Sequence, residues 1–225
     1  LEDGGGYYLF HELHAGPLRS RIMVRRSEDL WNWGPPKQVL KPELEWERGA
    51  ANVVSCPCVV KDGDVYRMYY SANQTFLADL GFAEPKFIGV AEARSPLGPY
   101  KKMRAPLLGP DSGHPYRNRG AGAIKVYRDG DTGGWIAFNN GIYRDSEGRS
   151  RSSIMAIESR DGYSWNEAAG KPLISPDEGW RRALVYQLDA VPRPNGELWM
   201  YYNARDGWRV GTERIGLEIG VPVSG

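Results

Sequence analysis

The sequence predicts an all-β protein, and within that class a β-propeller in a single domain spanning residues 1–225. Three observations carry this prediction: the composition, a long internal repeat and hairpin signals inside each repeat. The composition combines turn formers with aromatic residues that carry a polar group, since 28 Gly, 16 Pro, 8 Trp and 13 Tyr stand beside only 5 Phe. Such a composition favours many short strands. No segment shows a sustained apolar period of 3.6 residues, so we expect little helix.

Four segments of the chain share one order of elements, at about 1–40, 53–108, 120–175 and 185–221. Each reads as an apolar strand, a polar turn with Gly, an aromatic strand, a loop and an alternating strand. Ser27, Ser95 and Ser159 close the alternating strand in the first three segments, 68 and 64 residues apart. The turns "KDGD", "RDGDTGG" and "RPNG" are hairpin signals. A repeat of this size is typical of a propeller blade. The alternative is a β-sandwich with accidental internal similarity.

The stretch "SRDGYSW" shows how one repeat ends. Gly162 can adopt the positive φ that a tight turn between strands needs, and the Asp161 side chain can accept hydrogen bonds from the turn's backbone. We expect Trp165, with Trp33 and Tyr100 as its counterparts, to pack between neighbouring blades. These rings are therefore predicted to be structural.

Charge and hydropathy exclude several classes of partner. The net charge is +1, which gives no electrostatic signature for nucleic acid or for an anionic membrane. No apolar run approaches the roughly 20 residues that cross a bilayer. We therefore predict no nucleic-acid partner and no membrane association, and the sequence does not indicate a compartment.

Neither the cysteines nor the histidines form a recognisable metal or redox motif. Cys56 and Cys58 are expected to be small buried thiols, because the intervening proline strains a disulfide and no nearby His or Cys completes a metal site. His11 and His14 flank Glu12, but no helix and no third ligand accompany them. We predict no metal and no cofactor.

Four stretches resemble one known group of proteins: "SCPCVVKDGDVYRMYYSA" (55–72), "IGVAEARSPLGPY" (88–100), "SRDGYSW" (159–165) and "NGELWMYYNARDG" (195–207). On these stretches the chain resembles the five-bladed β-propeller glycosidases, which include the arabinanase/xylosidase, fructosidase and mannoside-phosphorylase families. The resemblance covers nearly the whole chain. Because four repeats are visible, we expect a divergent or N-terminally truncated relative that lacks or compresses one blade, with residues missing upstream of Leu1.

The resemblance implies cleavage of glycosidic bonds by acidic residues at the inner ends of first strands, around a central funnel. One carboxylic acid protonates the leaving oxygen while a carboxylate activates water or attacks the sugar. The sequence departs from this pattern in two repeats, since Cys58 stands where the family has Asp and the stretch "GAGA" (120–123) holds no acid. In the first repeat the family's acid would fall at or before Leu1, and Glu2 and Asp3 are expected to be turn residues.

Asp189 and Glu47 are the predicted catalytic residues. Asp189 lies on a predicted inner strand, where an isolated acid is costly unless it is paired or functional. Glu47 is the best remaining carboxylate, and the alternative for it is a solvated charged face in "KPELEWER". An aromatic residue followed by arginine precedes each of three inner strands, and such groups can stack on sugars and bind anions. The alternative is packing between blades. The predicted substrate-binding residues are Trp46, Arg48, His114, Tyr116, Arg117, Arg119, Trp180, Arg181 and Gln187.

The sequence-based hypothesis is therefore a glycoside hydrolase-like, carbohydrate-active protein with acid/base chemistry in a central funnel. Its partner would be a carbohydrate or another small polar substrate, and a homo-oligomer is possible. Two alternatives remain open, a non-catalytic carbohydrate-binding propeller module and a biosynthetic tailoring enzyme that reuses the funnel. Fold alone does not choose among them.

Overall fold

The computed structural model describes residues 1–130 and 132–221, and the side chains of all of these except Gln187 and Leu188. The predicted contact of Gln187 therefore lies outside the described residues. The first sheet contains β1 (Glu2–Asp3), β2 (Gly6–His14), β3 (Ser20–Ser27) and β4 (Lys37–Leu40). The second contains β5 (Val54–Asp62), β6 (Val65–Leu77), β7 (Phe82–Ala93) and β8 (Lys101–Lys102). The third contains β9 (Ile124–Arg128), β10 (Trp135–Arg144), β11 (Ser150–Ser159) and β12 (Asn166–Glu167), and the fourth contains β13 (Leu184–Pro192), β14 (Leu198–Arg205) and β15 (Glu213–Gly220).

Each sheet is an antiparallel meander in which strands follow one another in sequence order. Two short 3-10 helices, at Glu45–Glu47 and Gly179–Arg181, precede the second and fourth sheets. The sheets are arranged in a ring around one axis, as blades of a propeller. This confirms the prediction of an all-β propeller, with four blades in the described chain. No helix in the described residues has the length and hydrophobicity to cross a membrane.

Apolar clusters fill the spaces between successive blades. Each cluster takes fully or almost fully buried side chains from two neighbouring sheets, which stabilises them by about 25 cal/mol for each Å² of apolar surface removed from water. The buried pairs that mark these interfaces are Ile22 and Met68 between sheets 1 and 2, Val90 and Val126 between sheets 2 and 3, and Ile154 and Met200 between sheets 3 and 4.

The β6–β7 hairpin reaches from sheet 2 across to sheets 3 and 4. Leu77 and Leu80 near its tip are buried in a cluster with Ile142 of sheet 3 and Leu184 of sheet 4. Asp79 accepts hydrogen bonds from the backbone and hydroxyl of Ser150, at 2.7 and 2.6 Å. The hairpin therefore holds three blades together at one end of the ring.

The serine turns at the ends of the third strands share one geometry. The residue three positions after Ser27, Ser95 and Ser159 has positive φ in every case, at 65° for Leu30, 75° for Gly98 and 77° for Gly162. In the third blade, the Ser159 hydroxyl accepts from the Gly162 amide at 2.9 Å, and Asp161 accepts from the next two amides. Trp165 packs edge-on against Tyr69 of the neighbouring blade. These contacts confirm the predicted turn and the structural role of Trp165.

Candidate functional site

A cavity of about 630 Å³ lies at the axis of the ring, and all four sheets contribute to its wall. Its apolar surface comes from residues such as Phe10, Phe138 and Ile215. Concave sites of this size, mostly apolar and with a few converging polar groups, are typical of ligand-binding sites. The polar groups on the wall are His11, Glu12, His14, Lys125, Asn140, Asp189, Tyr201 and Asn203.

Sheet 1 supplies an acid to this cavity from its second strand. β1 has only two residues, so β2 forms most of the axial wall of this blade. Glu12 and His14 are two residues apart on β2 and therefore point to the same face. Glu12 Oε2 lies 3.2 Å from His14 Nε2, and Glu12 Oε1 accepts a hydrogen bond from the Cys56 amide at 2.8 Å. His14 is well exposed and Glu12 is partly buried, so a ligand in the cavity can reach the imidazole.

Cys56 owes its position to a bulge in β5. The pairing with β6 shifts register between Ser55 and Cys58, and Cys56 has a φ of 49°. A bulge re-aims a strand's groups, and this one directs the Cys56 amide at Glu12. Burial, together with the nearby Glu12 carboxylate, raises the pKa of the Cys56 thiol to about 11. Cys56 therefore stays protonated and does not serve as a nucleophile at neutral pH.

Sheet 4 supplies the other acid. Asp189 on β13 is exposed toward the cavity, and its Oδ1 accepts a hydrogen bond from the Tyr127 hydroxyl at 3.3 Å. Lys125 Nζ lies 3.8 Å from the same oxygen. The Tyr127 hydroxyl also accepts from the Ala190 amide at 2.9 Å, which ties β9 to β13. One hydroxyl donor and one ammonium of sheet 3 thus orient the carboxylate of sheet 4.

Comparison with known proteins identifies the fold. No protein-family model and no curated protein matches the sequence. A thermostable family-43 glycoside hydrolase matches the structure with a TM-score of 0.64 at 21% identity, over 100% of this chain and 68% of that one. An α-L-arabinofuranosidase from Clostridium thermocellum matches with a TM-score of 0.59 at 19% identity, over 100% and 68% of the two chains. An N-acetylgalactosamine deacetylase from F. plautii, in complex with blood group B trisaccharide, gives 0.62 at 15%, over 96% and 69%. The chain has the propeller fold of glycoside hydrolases.

Among the predicted site residues whose side chains the structure describes, Asp189 is the one that lines the axial cavity of the propeller. Glu47 is the last residue of the first 3-10 helix and is fully buried. Its carboxylate accepts from the Tyr70 hydroxyl at 2.6 Å and pairs with Lys102 at 2.7 Å. Arg48, the next residue, is exposed, and its carbonyl accepts from Asn73 at 2.8 Å. Glu47 thus holds a loop to the outer part of sheet 2.

The two predicted tryptophans pack against glycines of the strands. Trp46 stacks on Tyr70 with ring centroids 6.0 Å apart, and a Cβ on Gly89 would lie 2.5 Å from the Trp46 ring. Trp180 repeats the arrangement in sheet 4, where it stacks on Tyr202 at 5.7 Å. A Cβ on Gly216 would lie 2.5 Å from the Trp180 ring. The same tryptophan–glycine contact therefore covers one face of two blades. Next to Trp180, the guanidinium of Arg181 donates to Tyr202 and pairs with Glu218 at 2.8 Å.

The predicted substrate-binding residues that precede sheet 3 contact one another and nearby parts of the chain. The His114 imidazole pairs with Glu167 on β12, and its Nδ1 accepts from the Tyr116 amide at 3.1 Å. Tyr116 packs edge-on against Tyr143, with centroids 5.4 Å apart. Arg117 donates to the Gly109 carbonyl, and burial lowers the pKa of its guanidinium. Arg119 is partly buried, and its Nε has no hydrogen-bond partner among the described residues.

Sequence reasoning missed Glu12 and His14 as a pair on the cavity wall, and it missed Lys125 as a neighbour of Asp189. The signal for Glu12 was present in the alternation of "LFHELH", which puts Glu12 and His14 on one strand face. Its significance depended on β2 bordering the axis, which the sequence did not indicate. No group of three His, Cys, Asp or Glu side chains suited to a metal occurs in the described parts of the chain.

Proposed function

We propose that the axial cavity binds a carbohydrate and that the protein cleaves a glycosidic bond there, with Glu12 and Asp189 as its two carboxylates. The observation that carries this proposal is their placement on different sheets bordering one cavity. Glycosidic cleavage needs two carboxyl groups on either side of the scissile bond. The fold shared with glycoside hydrolases supports the reaction class, and the trisaccharide bound by one structural neighbour supports a sugar as ligand.

The surroundings of the two acids suggest different roles. Asp189 is exposed and held by Lys125 and Tyr127, so we assign it the role of base or nucleophile toward the sugar. Glu12 is fixed by the Cys56 amide and contacts His14. We assign the Glu12–His14 pair the transfer of the proton to the leaving oxygen, because an imidazole can exchange a proton near neutral pH.

A second candidate, carbohydrate binding without cleavage, is favoured by the chemistry of β5. Cys58 stands where related propellers carry an acid, and its Sγ accepts a hydrogen bond from the Val126 amide at 3.3 Å. Cys58 packs in the interface between sheets 2 and 3 and burial raises the pKa of its thiol, so this position supplies no acid to the cavity. A site with fewer acids can hold a sugar without activating water.

Hydrolysis and binding are separable by experiment. A panel of aryl glycosides and plant or bacterial polysaccharides would be assayed for released product, and binding would be measured by titration calorimetry. Asp189→Asn and Glu12→Gln are expected to lower kcat/KM by about 100-fold or more, while Glu45→Gln, an exposed acid on the first 3-10 helix, should leave it unchanged. Sugar binding without turnover by the wild type supports the second candidate. Neither turnover nor binding across the panel rejects both.

A further inference from the structure

A second concave site, of about 440 Å³, lies between sheet 1 and the loop that leads to sheet 2. We call it the basic pocket, because its wall carries the four cations Arg19, Arg21, Lys41 and Arg48. No acidic residue of the described chain lines it. The four cations come from three separate segments, so the fold brings them together in a chain whose net charge is only +1. Arg48 is also one of the predicted substrate-binding residues.

The backbone around the basic pocket is held by hydrogen bonds between sheet 1 and that loop. The Ser20 amide donates to the Asn52 carbonyl at 3.2 Å, and the Asn52 amide donates to the Leu18 carbonyl at 2.9 Å. The Ser20 hydroxyl donates to the Val54 carbonyl at 2.7 Å. The pocket is therefore preformed, which reduces the ordering cost of binding a ligand.

The cations of the basic pocket are poorly compensated by carboxylates. In residues 1–130 and 132–221, the only carboxylate within 4 Å of any of them is that of Glu43, 3.6 Å from Lys41 Nζ. Glu43 also lies 3.8 Å from Lys102, so its charge is shared. The carboxylates of Glu45 and Glu47 lie beyond 4 Å from all four cations, and Glu47 pairs with Lys102. The pocket therefore keeps an excess of positive charge after its acidic neighbours are counted.

The three guanidiniums of the basic pocket are available to an anion. All three residues are exposed. Arg21 donates to the side-chain oxygen of Gln38 at 3.0 Å, which is a neutral acceptor. Arg19 and Arg48 make no side-chain hydrogen bond within the described structure. A guanidinium presents a planar fork of donors that fits the oxygens of a carboxylate or sulfate. Because like charges repel, a bound anion would also relieve the repulsion among the cations.

The basic pocket adjoins the proposed sugar site. His14 lines the axial cavity, and Ala15, the next residue, lines the basic pocket. Asn52 of the basic pocket precedes Cys56 of the axial cavity by four residues, which is at most about 14 Å of extended chain. A ligand of a few sugar units can therefore reach both.

We propose that the basic pocket binds an anionic substituent, a carboxylate or a sulfate, of a carbohydrate that extends into the axial cavity. This inference rests on the proposed function and narrows the substrate class to acidic carbohydrates. Hydrogen bonds from a guanidinium to an anion are roughly twice as strong as those to a neutral group. The pocket therefore favours the acidic form of a sugar over its neutral counterpart.

Matched ligands that differ in charge test this inference. Oligogalacturonate would be compared with its methyl ester, and a sulfated galactan oligosaccharide with its desulfated form, by titration calorimetry on the wild type and on Glu12→Gln. In one pair the acidic form should bind about 10-fold more tightly or better, and that pair distinguishes a carboxylate from a sulfate. Raising NaCl from about 20 mM to about 500 mM should reduce this preference, since salt screens exposed charges.

A double variant tests whether the basic pocket causes the preference. Arg19→Gln with Arg48→Gln removes two guanidiniums and keeps polar side chains in their place. This variant should bind the acidic and neutral forms alike, with its affinity for the neutral form unchanged. Arg94→Gln is the matched control and should keep the preference, because Arg94 is 80% exposed and lines neither cavity. Circular dichroism would verify that each variant is folded.

Equal affinity for the acidic and neutral forms in both pairs overturns the inference. So does a preference that the double variant retains, or one that Arg94→Gln also abolishes. Failure of the proposed function gives a different result. A preference for the acidic form without cleavage supports the basic pocket and rejects hydrolysis, whereas cleavage of both forms with equal affinity and equal kcat/KM does the reverse.

Discussion

Glu47 offers the sharpest test of how this fold uses a buried charge. Its carboxylate is fully buried and receives four donors: the amides of Glu43 and Leu44 at 2.6 and 2.8 Å, the Tyr70 hydroxyl at 2.6 Å and Lys102 at 2.7 Å. Lys102 is itself only 7% exposed. Burial lowers the pKa of this amine, and the Glu47 carboxylate opposes that shift. The Lys102 ammonium therefore depends on nearby carboxylates, chiefly that of Glu47, for its counter-charge.

Glu47→Gln should lower the free energy of unfolding by up to about 3–5 kcal/mol, because the buried Lys102 ammonium then keeps only the half-exposed Glu43 carboxylate, 3.8 Å away, as its counter-charge. Adding Lys102→Met removes that ammonium and should restore part of the loss, which gives a non-additive double-mutant cycle. Urea unfolding followed by tryptophan fluorescence measures each value. A loss below about 1 kcal/mol for Glu47→Gln would show that the carboxylate is not held as described. A stable Glu47→Gln variant with abolished glycoside cleavage would instead support the catalytic role predicted from sequence.

Three further substitutions test single features of the fold. Burial, with Glu213 nearby, raises the pKa of Glu84 to about 7 from 4.5. Between these two pH values the folded state keeps a proton that the unfolded state loses. The stability that this proton adds is therefore complete below pH 4.5 and is lost as pH rises through 7. Glu84→Gln should flatten the decrease in stability between pH 5 and pH 8 by at most about 3 kcal/mol in urea titrations. Leu30→Gly should raise stability by about 1 kcal/mol, because Leu30 is half-exposed with a φ of 65°; an unchanged or lower melting temperature would contradict this. Gly162→Ala should cost more than about 2 kcal/mol, since its Cβ would lie 2.8 Å from the buried Tyr69 hydroxyl at a φ of 77°, and a wild-type unfolding midpoint would reject that geometry.

The fold was readable from the sequence because its signals are local. The turns after Ser27, Ser95 and Ser159 each need one residue with positive φ at a fixed offset, and glycine stands there in the second and third blades, whereas the first blade has Leu30. Hairpin turns and alternating strands follow the same logic, since neighbours in sequence determine them. Repetition of these local patterns at similar spacing was enough to predict blades.

The candidate site was only partly predictable, because its residues depend on contacts between distant strands. Trp46 and Trp180 look suited to sugar stacking in the sequence, yet each fills space left by a glycine on a later strand, Gly89 or Gly216. Their position is set by that packing, which the local sequence does not reveal. Asp189 was predicted to lie on the cavity because an isolated acid on an apolar inner strand needs a purpose or a partner, and Tyr127 supplies one such partner.

Glu12, the second acid, reaches the cavity because of which strand of sheet 1 lines the axis, and no sequence motif indicates this. In sheets 2 and 3 the innermost strands are β5 and β9, and the axial positions on β5 and directly before β9 carry Cys56 and Ala123 instead of acids. In sheet 1 the first strand is only two residues long, so β2 borders the axis and brings Glu12 to it. The β5 bulge then supplies the amide that fixes Glu12 in place. A carboxylate can therefore reach the same axial space from a second strand of one blade, provided that a neighbouring blade offers a donor to hold it. This makes the Cys56 amide, and not its thiol, the part of β5 on which the proposed role of Glu12 depends.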